Sequence, residues 1–252
     1  MFTSYALVVV VFVCLFGGAL GGMFLRTILP EHHLSKQTED SVKLAIGVIA
    51  TMCALVIGLL LASAKSAYET KDAELKQFSA NLILLDRQLA HYGHEADHVH
   101  AVLRRYTAQK ISATWPGETP PTGEDTDAWR LLEDVESALR ALTPADGPQR
   151  WLQTRALQLS GDLAGTRWLM AEQQAGSIHK PFLTTVVLWL TIIFTSFGVF
   201  APRNAIMIIA LFVCSLSIAS AMLLIVEMDH PFGGLMQISS APMHDALAHL
   251  TR

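Results

Sequence analysis

The sequence predicts an all-α membrane protein: four transmembrane helices, with a helical extramembrane domain inserted between the second and the third. Three observations predict it. Of 252 residues, 52% are apolar and only 16% charged, against about a quarter charged in ordinary soluble domains. Four stretches, Phe2–Leu25, Leu44–Ala64, Pro181–Pro202 and Asn204–Val226, carry no charge over the roughly 20 residues that a hydrocarbon core demands. The long segment between the second and third has helical periodicity and no visible strand. The expected organisation is residues 1–64 for spans one and two with their connector, 65–180 for the helical domain, 181–227 for spans three and four, and 228–252 for a tail.

The first span has no Lys or Arg before it, and its apolar run is longer than a signal-peptide core. It reads as a retained anchor rather than a cleaved signal. Its pairs Gly17–Gly18 and Gly21–Gly22 suit close helix packing. Pro30 stops the helix, and Ser35 or Thr38 is placed to cap a short piece leading into span two. His32 and His33, adjacent in this connector, would point about 100° apart on a helix and make a poor metal site.

Span two has two distinct faces. Gly47, Thr51, Ala54, Gly58 and Ala62 form a narrow stripe of small residues, as expected where membrane helices approach closely. Ile49, Met52, Val56, Leu60 and Ala64 form an apolar row free of ionisable groups.

No proline or glycine interrupts the chain between Gly58 and Gly93, so the span should continue into a soluble helix reaching about Lys110. Its apolar positions are Leu75, Phe78, Leu82, Leu85, Leu89, Tyr92, Ala96, Val99, Leu103 and Tyr106. They alternate in steps of three and four, the 3.5-residue repeat of a packed helical seam. Ile83 and Leu84 lie off the seam, which predicts burial on more than one side there. Gly93 is the expected place for a kink or break. Arg87, beside Asp86 in LILLDRQL, is either on a solvated face or a buried charge bridging to another helix or subunit; within this rod it is the charge expected to be buried.

Ser112–Asp127, rich in Pro, Gly and acid, predicts a loop. A helix from Asp127 to Leu142 follows, with Trp129, Leu132, Val135, Leu139 and Leu142 on one face. A third runs from Gln149 to Ala175, with Gly176 as its cap. Spans three and four are joined by the short hairpin Ala201-Pro-Arg-Asn. The tail holds a turn at Pro231-Phe-Gly-Gly and a short helix after Pro242.

Several functions lack support. There is no phosphate-binding glycine loop, Gly-x-Ser-x-Gly elbow or His-Glu-x-x-His pair, so no enzyme is expected. No charge or histidine lies inside a span, which disfavours proton-coupled transport. A net charge of −4 without a basic stripe argues against nucleic acid. Cys14, Cys53 and Cys214 all fall inside spans and suggest packing residues rather than disulfides. His91, His94, His98 and His100 are the one metal-like group, and they are expected to face solvent, with metal binding or pH sensing as the sharper alternative. No cofactor is expected. Charge leaves orientation open: Lys65, Lys71, Lys76, Arg167 and Lys180 would flank the membrane on one side, and Arg26, Lys36, Lys43 and Arg203 on the other.

Three stretches in order resemble the bestrophin family, and more closely its bacterial bestrophin-like four-span members. They are GLLLASAKSAY closing span two, ANLILLDRQL on the continuing helix, and the Pro231-Phe232-Gly233 turn after span four. The resemblance implies a homo-oligomer, pentameric, that conducts an inorganic ion. It also implies a pore lined by span two, with the apolar neck at Val56, Leu60 and Ala64 and the row continuing through Met52 and Ile49. Asp86, Arg87, Pro231, Phe232 and Gly233 would be structural or interface residues. The implied partners are membrane lipid and further copies of the chain. The implied location is the bacterial inner membrane, with termini and central domain in the cytoplasm. The family's aromatic neck residues are absent, and the acidic run used for calcium gating is replaced by Gly-Leu-Met-Gln-Ile. A different class, a non-conducting scaffold or signalling adaptor, would use the same helical domain to hold a cytoplasmic partner.

Overall fold

The computed structural model describes residues 2–28, 36–115, 128–172, 180–229, 231–234 and 236–251. They form α1 (Phe2–Ile28), α2 (Lys36–Tyr92), α3 (Asp97–Thr114), α4 (Ala128–Ala141), α5 (Gly147–Glu172), α6 (Lys180–Phe200), α7 (Ala205–Asp229) and α8 (Ala241–His249), with a 3-10 turn at His94–Ala96. Among the described residues there is no strand. Four of the helices, α1, α2, α6 and α7, are long and apolar enough to cross a membrane. The chain packs as two units. One comprises Met1–Tyr68, Gly176–His230 and Gly234–Met236; the other comprises Glu69–Ala175, Pro231–Gly233 and Gln237–Arg252.

In the first unit, α1 and α6 run parallel at very close range. Gly18 lies against Thr191 and Thr195, Gly22 against the backbone of Thr195, and Gly198 against the backbone of Ala19. A side chain at Gly22 or Gly198 would collide with main-chain atoms, so glycine here is a packing requirement. Gly17 and Gly21 face open space; only one glycine of each pair serves the contact.

On the other side of α1, Phe12 and Phe16 meet Phe212 of α7 edge-on, with ring centroids 5.3 and 5.5 Å apart. That geometry suits the ring quadrupoles. Two arginines tie the C-terminal ends of α1 and α6 together. Arg26 Nη1 donates to the carbonyl of Ala201, and Arg203 Nη2 to that of Met23, both at 2.5 Å. Ala201 directly follows α6, where carbonyls lack helical partners, and each cation stands at the negative end of a helix. Asn204 Oδ1 accepts from Met207 N at 2.8 Å and so caps the start of α7.

The second unit is built on an antiparallel hairpin of α2 and α3, with Phe78 against Tyr106 (6.4 Å between centroids) and Asp86 opposite His100. All ten seam residues from Leu75 to Tyr106 are buried, none more than 3% exposed. The break falls at Gly93, whose φ of 111° is a conformation that favours glycine. α4 packs on α3 through Leu131, Leu132, Val135 and Leu139, and α5 adds Ala156, Leu159 and Leu163 to the same core.

The turn before α5 resembles a capping box. Asp146 Oδ1 accepts from Gln149 N, and Gln149 Oε1 accepts from Ala145 N. Gln153 donates to the carbonyls of Leu139 and Leu142, satisfying the open end of α4.

Two expectations change here. Leu84 is 41% exposed within the chain and Ile83 only half-buried, so one chain leaves these two off-seam residues partly uncovered, although it buries Ser79 and Asn81 beside the seam. Arg87 is exposed; among the described residues, the charged side chains that the chain does bury are Lys71, Glu227 and Asp229. The side chain of Trp129, the cap Gly176 and the connector histidines His32 and His33 lie outside the described residues.

Candidate pore helix and tail turn

Span two of the chain, within α2, is the least covered of the four. Only 11% of its membrane window is buried, against 28% for each of the others. Its coverage has a clear direction. Ile46, Cys53 and Ala64 are buried, and Cys53 and Ala64 join the apolar core formed with Leu15, Val186, Phe194 and Met222. Val56, Ile57 and Leu60 pack partly on that same cluster.

The remaining circumference is uncovered and falls into two faces, one on either side of the packed one, the small-residue face turned from it by about 140° and the other by about 100°. One is the small-residue stripe Gly47, Thr51, Ala54, Gly58 and Ala62, every member exposed; nothing lies within 4 Å of where a Cβ of Gly47 or Gly58 would sit. The other is apolar through most of its length, with Met52 at 54% and Leu59 at 62% exposure, and it ends one turn later on the hydroxyl of the exposed Ser63.

The expected neck row is thereby split. Met52 is open, Ile49 and Val56 are half-buried, Leu60 leans on the subunit's own core, and Ala64 is wholly inside it. The cause is geometric: residues four apart on an α-helix turn by 400°, so a row of such steps drifts about 40° each time. Followed from Met52 to Ala64, it rotates off the open face and into the core.

In the second unit, Pro231 is buried and Phe232 half-buried, while Gly233 is exposed. Trp115, at the end of α3, holds this turn. Its ring meets Phe232 edge-on at 6.0 Å, and its Nε1 donates to the carbonyl of Ile238 at 3.0 Å. Ile238 N in turn donates to the carbonyl of Pro231 at 2.8 Å, closing the tail back on the turn. Gly234, in the first unit, has φ 125°, and any Cβ there would meet the carboxylate of the buried Glu227. Neither Trp115 nor Gly234 stood out in the sequence. A Trp just before a Pro-Gly stretch and a second glycine after Phe232 were the available signals.

Asp86 and Arg87 separate. Asp86 turns toward His100, whose Nδ1 lies 3.2 Å from its Oδ1, whereas Arg87 points outward. Burial pushes the Asp86 carboxyl up, against the opposing pull of His100, His249 and Arg87. His91, His94 and His98 are exposed. Among the described residues, no group of three or more His, Cys, Asp or Glu side chains is arranged to hold a metal ion.

Four spanning helices with a helical insert after the second define an all-α, multi-pass membrane protein. A profile of the bestrophin-like domain matches residues 13–243, and the chain belongs to that family. The fold is similar to the crystal structure of a bacterial bestrophin homolog from Klebsiella pneumoniae, with a TM-score of 0.65 at 12% identity, covering 92% of this chain and 96% of that one. It is also similar to two point variants of that homolog. One gives 0.67 at 12% identity over 96% and 95% of the two chains, the other 0.64 at 13% over 94% and 97%. No curated protein sequence matches the chain.

Proposed function

We propose that the chain is the subunit of a homo-oligomeric, passive ion channel of bestrophin-like type, a pentamer by its resemblance to that family. The observation that carries the reading is the sparse coverage of α2 in the membrane unit: 11% against 28%. An apolar helix left open on two faces fits a position between neighbouring subunits and a shared axis. The small-residue stripe suits contact with the next subunit, since small side chains let backbones approach. The face through Ile49, Met52, Val56 and Leu59 is then the one left for the axis, where apolar side chains make a constriction. Ser63 ends that face with a polar group, and Leu60 and Ala64 support it from behind. Arg87 and Leu84, open within one chain, are available to a neighbouring subunit. By the same resemblance the termini and the second unit lie in the cytoplasm, and the spans in a bacterial inner membrane with lipid around α1, α6 and α7.

Purified protein in planar bilayers tests this. Wild type should pass current. Leu59→Trp should lower conductance by roughly tenfold or more with particle size unchanged, because a bulky ring narrows an apolar constriction. Leu60→Trp should instead impair folding, because it overfills the subunit's core. Silent bilayers together with stoichiometric capture of a soluble partner would favour the scaffold reading and sink this one.

A further inference from the structure

The second unit contains a cavity of about 270 Å³ that the channel reading does not use. Its apolar walls come from four parts of the chain: Leu75 of α2, Trp115 at the end of α3, Met170 of α5, and Phe232 and Met243 of the tail. Among the residues that line it one is charged, Lys110 of α3, and none is acidic. Burial lowers the Lys110 ammonium from its ordinary range, and the other charge acting on it, Arg167 of α5, is also positive and pushes the same way.

These features have one chemical theme. A desolvated cation with a second cation nearby is costly unless a negative charge joins it. Apart from the Thr114 hydroxyl, the other lining side chains are aliphatic, aromatic or thioether, which suits an apolar body but not a bare, strongly hydrated ion. Ligand sites are typically cavities with mostly apolar walls and a few polar groups that fix orientation.

We propose that this cavity binds a small organic anion, its carboxylate held by Lys110 and its apolar body against the wall that Trp115, Phe232 and Met243 form. Because α3, α5 and the tail all contribute walls, an occupied cavity ties the Pro231–Gly233 turn and α8 to the rest of the unit. The site does not depend on whether the protein conducts.

Titration calorimetry of the full-length protein in detergent tests it, with benzoate as the probe and benzyl alcohol as its neutral counterpart. Benzoate should bind saturably, with benzyl alcohol on the order of 10- to 100-fold weaker, as expected for loss of a charge-assisted hydrogen bond. Lys110→Met should weaken benzoate to the level of benzyl alcohol, and Lys110→Arg should retain it. Because the folded protein holds the Lys110 proton less firmly than usual, benzoate binding should take up protons as pH rises toward the ordinary lysine range, seen as a heat that changes with buffer ionisation enthalpy. That uptake should vanish in Lys110→Met. Equal binding of benzoate and benzyl alcohol, or benzoate binding unchanged in Lys110→Met, would overturn the proposal. So would the absence of benzoate binding to wild type.

Discussion

Gly234 shows how a single residue can be fixed by two independent demands. Its φ of 125° disfavours L side chains, and the space a Cβ would take is occupied by the Glu227 carboxylate. Gly234→Ala should therefore destabilise the protein by about 1–3 kcal/mol, measured as a loss of thermal stability in detergent, whereas Gly233→Ala, with open space around it, should be nearly silent. Asp86 gives a prediction with a definite sign. Its folded-state carboxyl holds a proton to higher pH than in the unfolded chain, because burial outweighs the pull of His100. Stability from this group is thus complete below the unfolded pKa and falls as pH rises out of the ordinary carboxylate range. Asp86→Asn should match wild type in acid and exceed it at neutral pH, by thermal unfolding; a less stable variant at neutral pH would mean the His100 contact dominates. Neither residue's role was legible in the sequence. Aspartate beside arginine gives no sign of which one turns inward, and a glycine pair in a turn does not say which member needs positive φ.

Among the helices, legibility tracked periodicity. The seam from Leu75 to Tyr106 could be read in advance because burial on one side imposes a 3.5-residue repeat that no other arrangement favours, and Gly93 marked its break. The glycines of α1 were legible as a class, but two parallel helices meet along one line only, so sequence could not say that Gly18 and Gly22 face α6 while Gly17 and Gly21 do not. Gly22→Leu should cost at least about 1–3 kcal/mol, seen as loss of monodisperse folded protein, with Gly21→Leu tolerated. The neck row divides for a related reason. Spacing by four looks straight on paper and spirals on a helix, so Met52 and Ala64 fall on different faces. Arg87 differs in kind: an apolar local sequence implied burial that one chain does not provide.

At the scale of the whole molecule, the chain leaves one membrane helix open along two faces, as a subunit of the proposed channel would. Four spans and the helical insert were evident from hydropathy and punctuation, and the family match extends that plan over residues 13–243. What composition could not supply is which helix a single chain leaves open, because that depends on what α1, α6 and α7 already cover. The account's central claim is that α2 stands between neighbouring subunits and a common axis. Electron microscopy of the purified particle tests it most directly. A closed ring of subunits, five by the family resemblance, with α2 innermost and Met52 and Leu59 toward the axis, is the predicted result. A monomer, a close-packed dimer, or a ring with α2 turned to the lipid would contradict it.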